Sequence, residues 1–209
     1  MSLFNKLFGG KQSSATKSNS IVKPTPQVPA EPLDNKAKFE LLSQKSAEYY
    51  NQGDFGLYRN ARYSMAEICY KEGNYRPAVN LFCEVSYCDM SHLFNQNAFW
   101  LESGNNALKV VSLEYMYKSY KGDSWVVFCA PACRNRLITL QKKMNLDDKD
   151  FFQMIKEDMS YFTAPFHPLT NEECAKLLIS LIRDPEKPYK TAFVNGRHRI
   201  LEAIKQYKD

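Results

Sequence analysis

Residues 62–90 read RYSMAEICYKEGNYRPAVNLFCEVSYCDM. Met65, Ala66 and Cys69 fall on one face of a first helix, at the spacing that helical periodicity demands. Gly73 stands where that helix should stop, because a glycine relieves the strain of a left-handed cap. Tyr75 opens a second helix, with Ala78, Phe82 and Val85 on its inner face. Small residues at Ala66 and Ala78 allow two helix axes to approach, and Phe82 and Val85 fill the space around that contact. The stretch is therefore expected to fold as an antiparallel helical hairpin.

The order small (Ala66), glycine (Gly73), aromatic (Tyr75), alanine (Ala78), aromatic (Phe82) resembles one tetratricopeptide unit. The family's first-helix aromatic and closing proline are replaced here by Arg62 and Met90. A shift by the family period of about 34 residues carries Met65 to Phe99, Ala78 to Ser112 and Phe82 to Met116. Under that shift Gly73 maps to Ala107 and Ala66 to Trp100, so 94–120 reads as a second, degenerate hairpin. The resemblance implies a helical-repeat scaffold whose neighbouring units bury each other's apolar faces. The expected fold is mainly all-α, built of tetratricopeptide-like antiparallel hairpins, with a C-terminal unit that is either helical or a short strand–turn–helix.

The 209 residues suit one domain or slightly more, and a hydrophobic fraction of 44% is ample for a core. The net charge of +5 is unevenly placed: Lys6, Lys11, Lys17 and Lys23 carry four of those charges in an acid-free stretch, residues 1–30. The remainder is near neutral, which argues against a dedicated nucleic-acid binder. Six cysteines without a secretory leader pattern point to free thiols in a reducing, cytoplasmic setting. Cys69, Cys83 and Cys88 read as small buried apolar residues. Cys129 and Cys133 flank Pro131, and the three histidines are too scattered to complete a metal site with them.

Along the chain, residues 1–34 read as a tail. Within it, a short amphipathic segment over 1–9 places Leu3, Phe4, Leu7 and Phe8 on one face, suited to a weak membrane-surface contact. Residues 12–34, with Pro24, Pro26, Pro29 and Pro32, form a linker too polar to bury a core. A helical domain then runs over 35–160. Gln52-Gly53-Asp54 ends its first helix, Pro131 suits the first position of a helix over 131–144, and Asp147 caps one over 148–160. A C-terminal subdomain takes 161–209. There Thr170 and Glu173 form a capping box, with Leu169 and Cys174 as its hydrophobic staple. Asp184-Pro185 stops that helix.

Lys190 to Val194 reads as a short strand, Asn195-Gly196 as a turn, and Arg197 onward as a helix start. Free N–H groups at a helix start, with arginines beside them, can hold a phosphate. Residues 168–205 resemble the nucleotide-binding core of ParB-type partition proteins and sulfiredoxins, whose Gly-x-[His/Arg]-Arg turn corresponds to Gly196, His198 and Arg199. Arg197 replaces both the sulfiredoxin cysteine and the ParB acid, so neither activity follows. Two function classes are expected. The first is a non-enzymatic scaffold holding a protein or peptide partner, with Tyr63, Tyr70 and Tyr75 as candidate contacts. The alternative is a phosphate-, nucleotide- or nucleic-acid-binding protein using Gly196, Arg197, His198 and Arg199. No catalytic triad, Walker loop or zinc-protease motif is present, and no cofactor is implied.

Overall fold

The computed structural model describes residues 34–91, 104–121 and 131–208. The expectations for the N-terminal segment, for the first half of the second hairpin and for Cys129 lie outside these residues. Among the described residues the fold is all-helical: α1 (Asn35–Asn51), α2 (Phe55–Lys71), α3 (Tyr75–Ser91), α4 (Asn106–Lys121), α5 (Pro131–Lys143), α6 (Asp148–Ser160), α7 (Asn171–Arg183) and α8 (Thr191–Lys208).

The quoted stretch is the α2–α3 hairpin, and Gly73 takes φ +79° as its cap. The amide of Asn74 donates to the Cys69 carbonyl at 2.9 Å and that of Gly73 to Tyr70 at 3.3 Å. These are the paired bonds of a Schellman stop. The α1–α2 turn repeats the device. Gly53 takes φ +72°, Asp54 donates to Tyr49 at 2.9 Å, and Gly53 donates to Tyr50 at 3.0 Å. Residues 50–55, YNQGDF, and 70–75, YKEGNY, are thus two copies of one turn, twenty residues apart, joining helices of equal length. Each carries an aromatic pair across it: Tyr50 and Phe55 with ring centroids 5.5 Å apart, Tyr70 and Tyr75 at 6.4 Å. Such short connections between helices packed along their length make both pairs antiparallel.

Helix α3 is the centre of the molecule. It packs on α2, α5, α6 and α7, and every residue from Leu81 to Ser91 is buried. Its apolar face (Ala78, Phe82, Val85) meets Met65, Ala66 and Cys69 of α2 in one core with Leu137 and Leu140 of α5 and Phe151, Ile155 and Met159 of α6. Asp147 caps α6 by accepting from the Asp150 amide at 2.8 Å. The capping box of α7 is formed, and Asp184 ends that helix.

The expected strand at 190–194 is instead the first turn of α8, which runs unbroken through Asn195 and Gly196. Its packing explains this. Ala192, Gly196, Ile200, Ala203 and Ile204 follow the helical period and are all buried. A Cβ on Gly196 would sit 2.8 Å from Cε1 of Tyr120 and 3.0 Å from Cδ2 of Leu169. The glycine is there to let α8 lie close against α4, and not to turn the chain. This α4–α8 pairing joins elements distant in sequence. The helices thus pack in neighbouring pairs compatible with a helical-repeat fold, closed by the return of the last helix. No described helix is long and apolar enough to cross a membrane.

Candidate functional site

A cleft of about 490 Å³ opens between α1, α2, the second half of α3 and the 161–163 connector. Tyr50, Phe55, Tyr58, Tyr87 and Phe162 give it aromatic walls. Tyr50 meets Phe55 and Tyr58 edge to face, with centroids 5.5 and 5.3 Å apart. These rings are placed by the first glycine turn: Gly53 reverses the chain, and the helical period brings Tyr58 under Tyr50.

At the base of the cleft lies a buried charge. The Glu84 carboxylate is almost enclosed, on a helix otherwise apolar at this level. It accepts from the Tyr58 hydroxyl through one oxygen, and from Nε of Arg62 at 2.6 Å through the other. A buried carboxylate is tolerated only when paired and hydrogen-bonded, and α2 supplies both partners one turn apart. One turn further along α3, Asp89 takes a bidentate pair from Arg59 at 2.9 and 3.0 Å. Burial, and next the negative field of Glu84, hold the Tyr58 hydroxyl protonated well above its ordinary range. Burial likewise pushes up the Cys88 thiol on the cleft wall. The cleft therefore offers aromatic surface and a fixed Arg–Glu dipole.

His167 and Cys174 lie close enough to suggest a nucleophile and base, with Sγ 3.6 Å from Nε2. The hydrogen bonds exclude that role. Nδ1 accepts from the Leu169 amide at 3.0 Å, which fixes the proton on Nε2, and Nε2 lies 3.1 Å from the Tyr87 carbonyl. Neither nitrogen is left to take the thiol proton, and burial raises the Cys174 thiol well above its usual value. The pair locks the 161–170 connector onto α3, with the imidazole stacked on Tyr87 at 4.2 Å. Among the described residues no three His, Cys, Asp or Glu side chains gather as a metal-binding group.

The three tyrosines expected to contact a partner do not share one cleft. Tyr63 lines a groove of about 440 Å³ between α1 and α2. Tyr70 and Tyr75 lie at the α2–α3 turn, covered by cations from α5: Arg136 stands 4.4 Å above Tyr70, and Lys143 lies 5.7 and 5.5 Å from the two rings. At the equivalent α1–α2 turn Phe55 is buried against Tyr50 and Ala164, and the half-buried Tyr50 and Tyr58 line the 490 Å³ cleft.

Gly196, Arg197, His198 and Arg199 lie inside α8, past its first turn, so the helix start on which the phosphate reading was built is absent there. Arg199 turns inward. It donates to Glu173 at 2.6 and 3.2 Å and to the Pro168 carbonyl at 2.9 Å. Burial alone would raise the Glu173 carboxyl, but bonds from Arg199, from Asn195 at 2.6 Å and from the Thr170 amide bring it down to about 2. His198 is exposed.

Tyr58, Glu84 and Asp89 escaped the sequence reading. The available signal was a pair of acids inside the apolar run NLFCEVSYCDM, matched by arginines one turn apart on the preceding helix. Comparison with protein-family models, with curated proteins and with solved structures finds no match to this chain.

Proposed function

We propose that this protein is a non-enzymatic helical-repeat scaffold that holds a peptide segment of a protein partner in the cleft between α1, α2, α3 and the 161–163 connector. One observation carries the reading. Of two equivalent glycine turns, the second stacks its half-buried tyrosines against Arg136 and Lys143, while the first sets the half-buried Tyr50 and Tyr58 on the wall of an open cleft, over a buried Phe55. Rigid aromatic walls supply large contact area at low entropic cost, which is how interface anchors are built. The Arg62–Glu84 pair at the base adds a polar group of fixed direction that can orient the anchoring side chain of the partner.

The test is site-specific photo-crosslinking. A photoreactive residue replaces Ala47, an exposed position on the cleft rim, or Leu201, an exposed position on α8. The expected result is a discrete partner captured from position 47 and not from 201, and lost when Tyr50→Ala is added. Equal capture from both positions, or capture that survives Tyr50→Ala, would overturn the reading.

A further inference from the structure

A second cleft, of about 630 Å³, lies on α6, α7 and the 184–190 connector, and its chemistry is different. Five cationic side chains line it, Lys156, Lys176, Arg183, Lys187 and Lys190, against one carboxylate, Asp184. Its floor is apolar: Phe152 and Ile179 are 5% and 8% exposed. Tyr189 forms a wall, held by its amide, which donates to the Ser180 hydroxyl at 2.9 Å, and Lys176 Nζ stands 6.0 Å from its ring. A surface lysine is normally solvated, and Arg183 in the last turn of α7 also complements that helix's negative end. That accounts for one of the five. Lys176 is held by Glu172 at 2.6 Å, and Lys187 approaches Asp184 at 3.9 Å. Lys156, Arg183 and Lys190 form no ion pair among the described residues. Arg183 is nonetheless positioned, its guanidinium 4.3 Å above the Phe152 ring. The connector then delivers Lys190 beside the start of α8, a long helix with no acid in its first turn. Cations lining one cleft over a low-dielectric wall focus the field on an anion, and the volume is that of a small-ligand site.

The geometry points to a nucleoside-phosphate site in this cleft, with the phosphate on Arg183 and Lys190 and the base against Tyr189. Inorganic phosphate would use only the cations. A nucleotide adds a planar ring, and an aromatic wall beside a basic groove is the arrangement that takes one. The same chemistry is presented by a free nucleotide and by one unit of a single strand. The site is independent of the peptide cleft, with which it shares no lining residue.

The experiment is calorimetric titration of the full chain with ATP, with inorganic phosphate and with single-stranded oligothymidylates of increasing length. Arg183→Gln/Lys190→Gln tests the cleft. Arg197→Gln/Lys205→Gln removes the same charge from α8 outside it. ATP is expected to bind, to weaken about tenfold in the cleft variant, and to change little in the outer one. Tyr189→Leu should weaken ATP and leave phosphate unaffected; since Tyr189 is half-buried, Tyr189→Phe, which keeps the ring, checks that folding is not the cause. Affinity for ATP that no oligomer exceeds assigns a free nucleotide, and affinity rising with oligomer length assigns a single strand. Both outcomes sustain the site. Absence of binding by all three probes, equal loss in the two charge variants, or phosphate binding as tight as ATP would overturn it.

Discussion

At the scale of single residues, Gly196 shows two effects in competition. Alanine in place of a helix-interior glycine gains about 1 kcal/mol of propensity. Here the added methyl would meet Tyr120 at 2.8 Å. That ring cannot swing away, because Tyr120 is fully buried and its hydroxyl donates to the Met90 carbonyl. Overpacking of a fixed core costs about 1–3 kcal/mol, so it wins. Gly196→Ala is expected to lower stability by up to about 2 kcal/mol net of the propensity gain, read as a reduced urea midpoint. Glu173 makes a pH prediction. Its carboxyl falls from an ordinary 4.5 to about 2 on folding. The unfolded chain therefore binds the proton first, and the stabilisation is complete above pH 4.5 and lost as pH falls towards 2. Denaturant midpoints across that window should drop, and Arg199→Gln, which removes the main bond that lowers the carboxyl, should shrink the drop.

At the scale of elements, ion pairs between helices differ in worth according to burial. Arg76 of α3 grips Asp158 of α6 with two bonds of 2.8 and 2.6 Å, and Asp158 is 3% exposed. Arg76→Ala would strand that carboxylate. Removing one partner of a fully buried pair costs about 3–5 kcal/mol, and since Arg76 is itself half-exposed, about 2–3 kcal/mol is expected here. Lys187 pairs with Asp184 at 3.9 Å in open solvent, so Lys187→Ala should change stability by less than about 0.5 kcal/mol. Equilibrium unfolding of the two variants side by side checks the contrast. The helices also differ as units. α3 is buried along its whole second half, whereas Ser46 is the one buried residue of α1, which packs on α2 at the edge. Local opening tracks the number of buried apolar contacts. Hydrogen exchange should therefore protect α3 amides most strongly and those of α1 least; equal protection would show that α1 opens only with the whole domain.

At the scale of the whole molecule, the fold class was written in local chemistry. Glycines at 53 and 73, the caps at Asp147 and Thr170, and apolar positions at helical spacing each act within a turn or two of chain, so they can be read residue by residue. The α2–α3 hairpin followed from them, as did Asp184 as a stop. The strand expected at 190–194 failed because Asn-Gly has one meaning in isolation and another under a tyrosine. A turn signal is a propensity, and the close approach of α4 overrode it. The continuous period of Ala192, Gly196, Ile200 and Ala203 carries the helix signal through the Asn-Gly pair.

The candidate sites were less legible for the same reason. Tyr58 and Arg62 stand 26 and 22 residues from Glu84, and the cations of the second cleft come from three different elements. Periodicity ranks which face of a helix goes inward; it does not say which face of another helix will meet it. By itself the sequence determined helices, their caps and their stops, because those energies are local. Only the tertiary structure decided that α3 would be enclosed, that α8 would return to α4, and which of the two aromatic turns would border the open cleft. Those choices rest on contacts between distant residues, where shape and burial outweigh any single residue's preference.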